Sequence, residues 1–436
     1  MAPVTAPSSL GPSQLDPGTD VRAPTAADVE AADVRLDSVV RRTPLEPNDR
    51  LGQRVGAQVW LKREDQQVVR SYKLRGAYNF ISQLSDEEKS RGVECASAGN
   101  HAQGVAFSCR QLGVPGRIVV PRTTPRQKRE RITAIGGDLV TLVITGDTYD
   151  DANLAAVEDA LASGRVLVPP FDHPLTIAGQ GTVGVEIVRQ LGFAPDVLVL
   201  PVGGGGLLAG VATWMRARHP GTRLVGVEPA GAACMAAAVA AGGPVVLDDL
   251  DGFVDGAAVR RAGSVTYPIV AELVGELVPV EEGRVCTEML DLYQWEGIVA
   301  EPAGALAAAA LGYSFSVEPG QTVVCLLSGG NNDVSRYGEI VERSLIHEGL
   351  KHYFLVTFPQ EPGALRGFLD EVLSENEDIT LFEYVKKNNR ETGPALVGIE
   401  INGRDDLEPL LERMRHSRLR IEPVPPGSPL FTFLVT

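Results

Sequence analysis

From about Ala26 to Arg343, short apolar runs alternate with stretches whose apolar residues recur at helical spacing. The runs Gln58–Lys62, Arg117–Val120, Asp138–Val143, Val197–Pro201, Leu224–Glu228 and Thr322–Leu327 have the length and β-branched content of strands. Between them the pattern predicts helices over Arg75–Leu84, Ala102–Leu112 and Leu207–Arg218. Strands and helices in alternation imply βαβ units, and hence an α/β fold with parallel-type sheets covered by helices. More than 300 residues of this texture exceed what one core holds, so two lobes with a cleft between them are expected.

After Lys351 the rhythm changes. Tyr353–Phe358 reads as a strand and Pro362–Leu373 as a helix, with Ala364, Leu365, Phe368, Leu369, Val372 and Leu373 on one face. Strands at Ile379–Val385 and Ala395–Asn402 follow, joined by the polar stretch Asn388–Gly393. A helix around Asp406–Met414 and a strand near Arg420–Val424 complete a βαββαβ order, the ferredoxin-like arrangement of an α+β domain. The chain therefore divides into a tail at residues 1–25, an α/β domain at 26–345 and a small domain at 350–436. The tail is rich in Pro, Ala, Ser and Gly and has neither periodicity nor the pattern of a targeting signal, so it reads as disordered.

Composition narrows the partners. Hydrophobic residues make up 44% and charged residues 22% of the 436, a globular balance. The net charge of −16 disfavours a nucleic-acid partner, which needs clustered Lys and Arg. No apolar run approaches the roughly 20 residues of a membrane helix, so no membrane partner is expected and the cytoplasm is the default location. Five scattered cysteines without a CxxC pair suit a reducing compartment, and six histidines without HxxxH or HExxH spacing give no metal site.

Four segments could carry chemistry. Ser71-Tyr72-Lys73-Leu74-Arg75-Gly76-Ala77 puts Lys73 near the start of a helix. A desolvated, neutral lysine amine there can condense with an aldehyde cofactor, although an ordinary solvated lysine fits the same heptapeptide. Ser97 to Gly104 link a strand to a helix whose first backbone N–H groups could receive a carboxylate, and Asn100 could bond a ring hydroxyl; Ser97 and Asn100 could equally serve only as helix caps. Gly203-Gly204-Gly205-Gly206, between a strand and the helix opening at Leu207, lets backbone wrap a phosphate with no Cβ in the way. Ser328, at the carboxyl end of Thr322–Leu327, could face a heterocyclic nitrogen or cap a helix.

The glycine loop alone also satisfies the permissive dinucleotide pattern Gly204-x-Gly206-x-x-Ala209, with Glu228 at the next strand end where a ribose would sit. A Rossmann-type oxidoreductase is thus the rival from another class. It leaves Lys73 and the Ser97–Gly104 turn unused, whereas a phosphorylated aldehyde ring uses all four segments.

Those blocks, SYKLRGA, SAGNHAQG, PVGGGGLLAG and SGGNND, together with EPAGA, occur in the order found in the threonine dehydratases (threonine ammonia-lyases), and the chain resembles that family over residues 26–345. The family lies within the tryptophan-synthase-β-like, fold type II class of pyridoxal-phosphate enzymes. HYFLVTFPQEPGALRGFL and ITLFEY resemble the single ACT-like regulatory domain of the shorter biosynthetic enzymes of isoleucine synthesis. The resemblance implies pyridoxal 5'-phosphate on Lys73, its ring hydroxyl near Asn100, its phosphate on Gly203, Gly204, Gly205, Gly206 and Leu207, and its ring nitrogen near Ser328. It also implies a substrate carboxylate in the turn of Ser97, Gly99 and His101, and Phe171 near the site. L-threonine is the implied substrate, L-serine the alternative, isoleucine the implied inhibitor and a homotetramer the implied assembly. Serine racemases of the same class carry a second serine where this chain has Ala98, so elimination without racemisation is expected. Their divalent-metal loop has an acidic residue where this chain has Cys234, so no divalent cation is expected.

Overall fold

The structure, a computed structural model, describes residues 22–384 and 390–435. The disordered-tail reading of residues 1–25 lies outside the described residues as far as residue 21, as does the first part of the Asn388–Gly393 connection. From Thr25 the chain is ordered: its hydroxyl and the Asp28 carboxylate form a capping box for the helix Ala26–Leu36.

Contacts divide the chain into two compact units, residues 1–280 with 299–331, and 281–298 with 332–436. The first contains two sheets. One has six strands in the order Leu45–Pro47, Gln58–Arg63, Thr322–Leu327, Val197–Pro201, Arg223–Pro229, Glu276–Val280, parallel throughout except for the antiparallel first pair. The other has four parallel strands, Val140–Ile144, Gly116–Val120, Val93–Ala96 and Val166–Leu167. Every residue of Val197–Pro201 and Thr322–Leu327 is buried, which is why those runs are apolar without alternation.

Each sheet has its own core. Val105, Ile118 and Ile132 anchor the smaller one, and Leu198, Leu208 and Leu224 the larger. The helix Lys73–Ser82 packs against Asn100–Leu112 and Pro174–Leu191, and the last of these packs on Gly206–Arg218. At that crossing a Cβ on Gly210 would stand 2.2 Å from the Ile177 carbonyl oxygen, so only glycine lets these two backbones approach so closely. The run at Asp138 begins later than its apolar pattern suggests, because Gly137–Leu139 forms a 3-10 turn and the strand proper is Val140–Ile144.

The second unit carries an antiparallel sheet in the order Glu377–Tyr384, Thr392–Ile401, Lys351–Pro359, Arg420–Pro423, with helices Ala364–Glu371 and Leu407–His416. This is the ferredoxin-like connectivity. The first of these helices starts two residues later than its hydrophobic pattern, since Gly363 at φ +96° forms the bend that opens it. A difference from the sequence expectation lies in the helix Glu282–Glu296. Assigned by position to the α/β domain, it groups instead with Tyr337–His347. Thr287 Oγ1 lies 3.0 Å from Ser344 Oγ, and its hydroxyl also reaches Glu348 Oε1 at 3.3 Å.

Candidate active site

The helix that presents Lys73 is fixed by charge. Two residues on, Arg75 is 1% exposed and donates to both oxygens of Glu64, at 2.9 and 2.8 Å, and to Glu186 Oε2 at 2.7 Å. Lys62 Nζ donates to Glu186 Oε1 at 2.6 Å and to the Thr43 carbonyl at 2.8 Å. Two cations and two carboxylates thus neutralise one another where water is excluded. Burial alone would raise the Glu64 carboxyl, but Arg75 and Lys62 outweigh it and hold the group below its ordinary range. This cluster ties the helix Lys73–Ser82 to the strand Gln58–Arg63 and to the helix Pro174–Leu191.

Lys73 Nζ donates to the Pro170 carbonyl at 3.1 Å. Burial depresses its amine to about 8, against a smaller opposing pull from Glu301, so a useful fraction is neutral near physiological pH. The next residue, Phe171, lies against the glycine loop: a Cβ on Gly204 would stand 2.4 Å from its ring. Asp172 then accepts from the backbone N–H groups of Ser264, Val265 and Thr266 at 2.7, 2.8 and 3.2 Å. Thr266 in turn donates its hydroxyl to the Gly204 carbonyl at 2.6 Å, so three consecutive residues, 170–172, link the lysine to the glycine bend, the third by way of Thr266. Gly205 sits at φ +92° as the N-cap of Gly206–Arg218, with no side-chain cap and no acidic residue in the first turn. That leaves backbone donors and the positive helix end for an anion.

The Ser97–Gly104 turn is not a side-chain cap. Gly99 is the N-cap of Asn100–Leu112 without a side-chain bond, and Ser97 Oγ accepts from Gly99 N at 3.3 Å. The His101 ring is committed elsewhere. Its Nε2 lies 2.8 Å from the Val168 carbonyl, which can only accept, and burial drives the imidazole down to about 3. A neutral ring brings no positive charge, so a carboxylate in this turn would meet backbone N–H groups. Ser328 is buried and its hydroxyl donates to the Ala303 carbonyl at 3.2 Å. Its segment is stitched to the lysine segment by Tyr72 N to Ser328 O at 3.2 Å and Gly330 N to Arg70 O at 3.0 Å, with Arg70 at φ 57°.

Asn100 meets a residue that was not singled out from the sequence. Its Nδ2 donates to Glu301 Oε1 at 2.5 Å, across 201 positions of chain. Burial, then Asp255, push the Glu301 carboxyl up to about 7. Glu301 begins the EPAGA block, but a lone glutamate before a proline carries no local sign of this role.

These residues fit pyridoxal phosphate. The cradle at Gly203–Gly206 is one that side chains would fill, since added Cβ atoms would meet Ala257, Phe171, Met235 and Gln180 within 3.0 Å. Gln180 Oε1 beside it is buried without a partner, and the amine required is held near neutrality. The dinucleotide alternative fares worse. Glu228 accepts from Met235 N and Ala236 N at 2.7 and 2.8 Å, so its carboxylate caps the helix Cys234–Ala241 and is not presented to a ribose.

Comparison with known proteins agrees. A family model described as "Pyridoxal-phosphate dependent enzyme" matches residues 36–329, and one described as "C-terminal regulatory domain of Threonine dehydratase" matches residues 342–434. The chain is 61% identical over 414 residues to "L-threonine dehydratase biosynthetic IlvA" of Mycobacterium tuberculosis, covering 94% of this chain and 96% of the relative. The protein of the same name from Bacillus subtilis is 51% identical over 400 residues, covering 92% and 95%. Among solved structures, the processed form of threonine deaminase isoform 2 from Solanum lycopersicum superposes with a TM-score of 0.69 at 38% identity, covering 76% of this chain and 98% of that one. Maize serine racemase gives 0.66 at 30% identity, covering 75% and 99%. The chain belongs to the pyridoxal-phosphate-dependent enzymes of fold type II and, within them, to the biosynthetic threonine dehydratases with a C-terminal regulatory domain.

Proposed function

We propose that this enzyme converts L-threonine to 2-oxobutanoate and ammonia, with Lys73 as its central residue. The observation that carries the assignment is the Lys73 amine, depressed to about 8 and linked through Pro170, Phe171 and Asp172 to the glycine bend. In this reading Lys73 holds the cofactor, Asn100 lies at its ring hydroxyl, Gly203 to Leu207 hold its phosphate and Ser328 faces its ring nitrogen. When bound, pyridoxal phosphate supplies the electron sink that stabilises negative charge at the substrate α-carbon.

The chain supplies the rest. Backbone N–H groups of the Ser97, Gly99 and His101 turn receive the substrate carboxylate. Lys73 Nζ accepts the α-proton, a general-base role worth roughly 10²–10⁴-fold. A neutral Ser328 hydroxyl places no full charge at the ring nitrogen, which favours prompt loss of the β-hydroxyl over side reactions. Ala98, where the racemases carry a serine, leaves no hydroxyl at that position to deliver a proton to the opposite face, so the outcome is elimination. Threonine is favoured over serine by the kinship with biosynthetic dehydratases, since one methyl group changes binding by only about 1–3 kcal/mol.

The C-terminal domain binds an amino-acid effector, isoleucine, and the enzyme is a cytoplasmic homotetramer. No helix among the described residues is long and apolar enough to cross a membrane. Threonine and serine turnover, measured side by side in wild type and Lys73→Ala with and without isoleucine, test these assignments. Serine preferred over threonine would overturn the substrate, and turnover by Lys73→Ala would overturn the site.

A further inference from the structure

Asn100, Glu301 and Asn331 close a ring of hydrogen bonds. Asn100 Nδ2 donates to Glu301 Oε1 at 2.5 Å, Asn331 N donates to Glu301 Oε2 at 3.2 Å, and Asn331 Nδ2 donates to Asn100 Oδ1 at 2.7 Å. The ring is anchored at two further points. Asn331 Nδ2 also donates to the Val69 carbonyl at 2.9 Å, and the Glu301 backbone N–H donates to Gly329 O at 3.1 Å.

The consequence is a fixed amide. With Glu301 ionised, above about pH 7, turning the Asn100 side chain over by half a revolution would aim its carbonyl oxygen at the carboxylate and its NH₂ at the Asn331 NH₂. Two hydrogen bonds would become two like-with-like contacts in a partly buried site around the buried Glu301, where an unmet polar group is costly. Asn331 cannot turn to relieve this, because its NH₂ is held by a backbone carbonyl that can only accept. Gly329 in the SGGNND block has its explanation here: a Cβ at that position would lie 2.0 Å from Glu301 Oε1, so any side chain would expel the carboxylate.

We propose that Glu301 and Asn331 are positioning residues that lock the Asn100 amide in one orientation, fixing which of its edges presents an N–H to the cofactor ring hydroxyl. This rests on the reading that Asn100 meets that hydroxyl. With the lock intact, Asn100 keeps one Nδ2 hydrogen uncommitted, a donor suited to an ionised oxygen. Without it, the amide can present its carbonyl, which repels that oxygen and favours the protonated hydroxyl.

The test uses the holoenzyme and five chains: wild type, the single variants Asn100→Ala, Glu301→Gln and Asn331→Ala, and the double variant Glu301→Gln/Asn331→Ala. Two quantities are read without reference to turnover, the dissociation constant of pyridoxal phosphate and the pH midpoint at which the visible band of the bound cofactor changes. Losing one charge-assisted hydrogen bond predicts about tenfold weaker cofactor binding in each variant. The midpoint should move upward in Asn100→Ala, and in the same direction in Glu301→Gln and Asn331→Ala. The double variant Glu301→Gln/Asn331→Ala should fall short of the product of the singles, since both act through one amide. Wild-type values in Glu301→Gln and Asn331→Ala beside altered values in Asn100→Ala would overturn the lock and spare the role of Asn100. Wild-type values in Asn100→Ala would overturn both. If Glu301→Gln fails to fold, Asn331→Ala, at a half-buried side chain, decides the matter alone.

Discussion

Replacing Arg75 by Met removes one cation from the buried quartet of Lys62, Glu64, Arg75 and Glu186 while keeping much of the side-chain volume. Two carboxylates then face one lysine, with Glu64 fully buried and Arg75 itself 1% exposed in the native chain. Breaking such a pair by deleting one partner costs about 3–5 kcal/mol, because a charge is left uncompensated in a poor dielectric. For a unit of about 300 residues, an unfolding entropy near 2.1 cal/mol/K per residue converts this to a fall of roughly 5–8 °C in Tm. The pH dependence has a definite sign. The surplus carboxylate in the variant has its folded pKa raised above the unfolded value of about 4.3, so between the two the folded state binds the extra proton. Stability relative to wild type therefore improves as pH falls, and the deficit at pH 8 should exceed that at pH 5. The assay is thermal unfolding of the full chain at both pH values, following the transition that reports Trp214, one of the residues of the first unit's core. Arg75→Met/Glu64→Gln, which restores neutrality, should recover more than half of the loss. A deficit under about 1 kcal/mol, or one equal at both pH values, would refute the view that this cluster holds the lysine helix by charge balance.

Other expectations follow from the same geometry. Gly204→Ala places a methyl 2.4 Å from the Phe171 ring and should weaken pyridoxal phosphate binding at least tenfold in an equilibrium titration, with little change in secondary structure by circular dichroism. Capture of the cofactor by cofactor-free enzyme requires a neutral Lys73, so its rate should climb about tenfold per pH unit below about 8 and level off above it, as followed by stopped-flow absorbance. A chain ending after Leu350 keeps the helix Tyr337–His347 against Glu282–Glu296 and should retain threonine turnover while losing isoleucine inhibition. A chain ending at Asn331 strips that helix of its partner and should be less stable, measured by the same thermal assay.

The fold was legible wherever burial was total. Val197–Pro201 and Thr322–Leu327 are uniform apolar runs because helices cover both sheet faces, and their ends coincide with the observed strands. Helix starts were harder. Lys73, Asn100 and Gly206 each open a helix without a side-chain cap, so a reading that waits for a cap or an apolar residue begins one or two positions late. The uncapped starts are also where ligands are expected. Two features left no local trace. Lys62, Glu64, Arg75 and Glu186 look like surface charges in sequence, and only the folded chain brings them together in a dry interior. Glu301 gains its role from Asn100, 201 residues away. The helix Glu282–Glu296 misleads for a related reason: it lies between two strands of the large sheet in sequence, yet its partner is the helix that leads into the regulatory domain.

The amine at position 73 is the group on which the proposed chemistry depends. The visible absorbance spectrum of purified wild type, recorded before and after adding threonine and compared with that of Lys73→Ala, addresses it most directly. A cofactor band that responds to threonine in wild type and is lost, together with 2-oxobutanoate formation, in Lys73→Ala is the expected result. Retention of the same band and the same turnover by Lys73→Ala would contradict it.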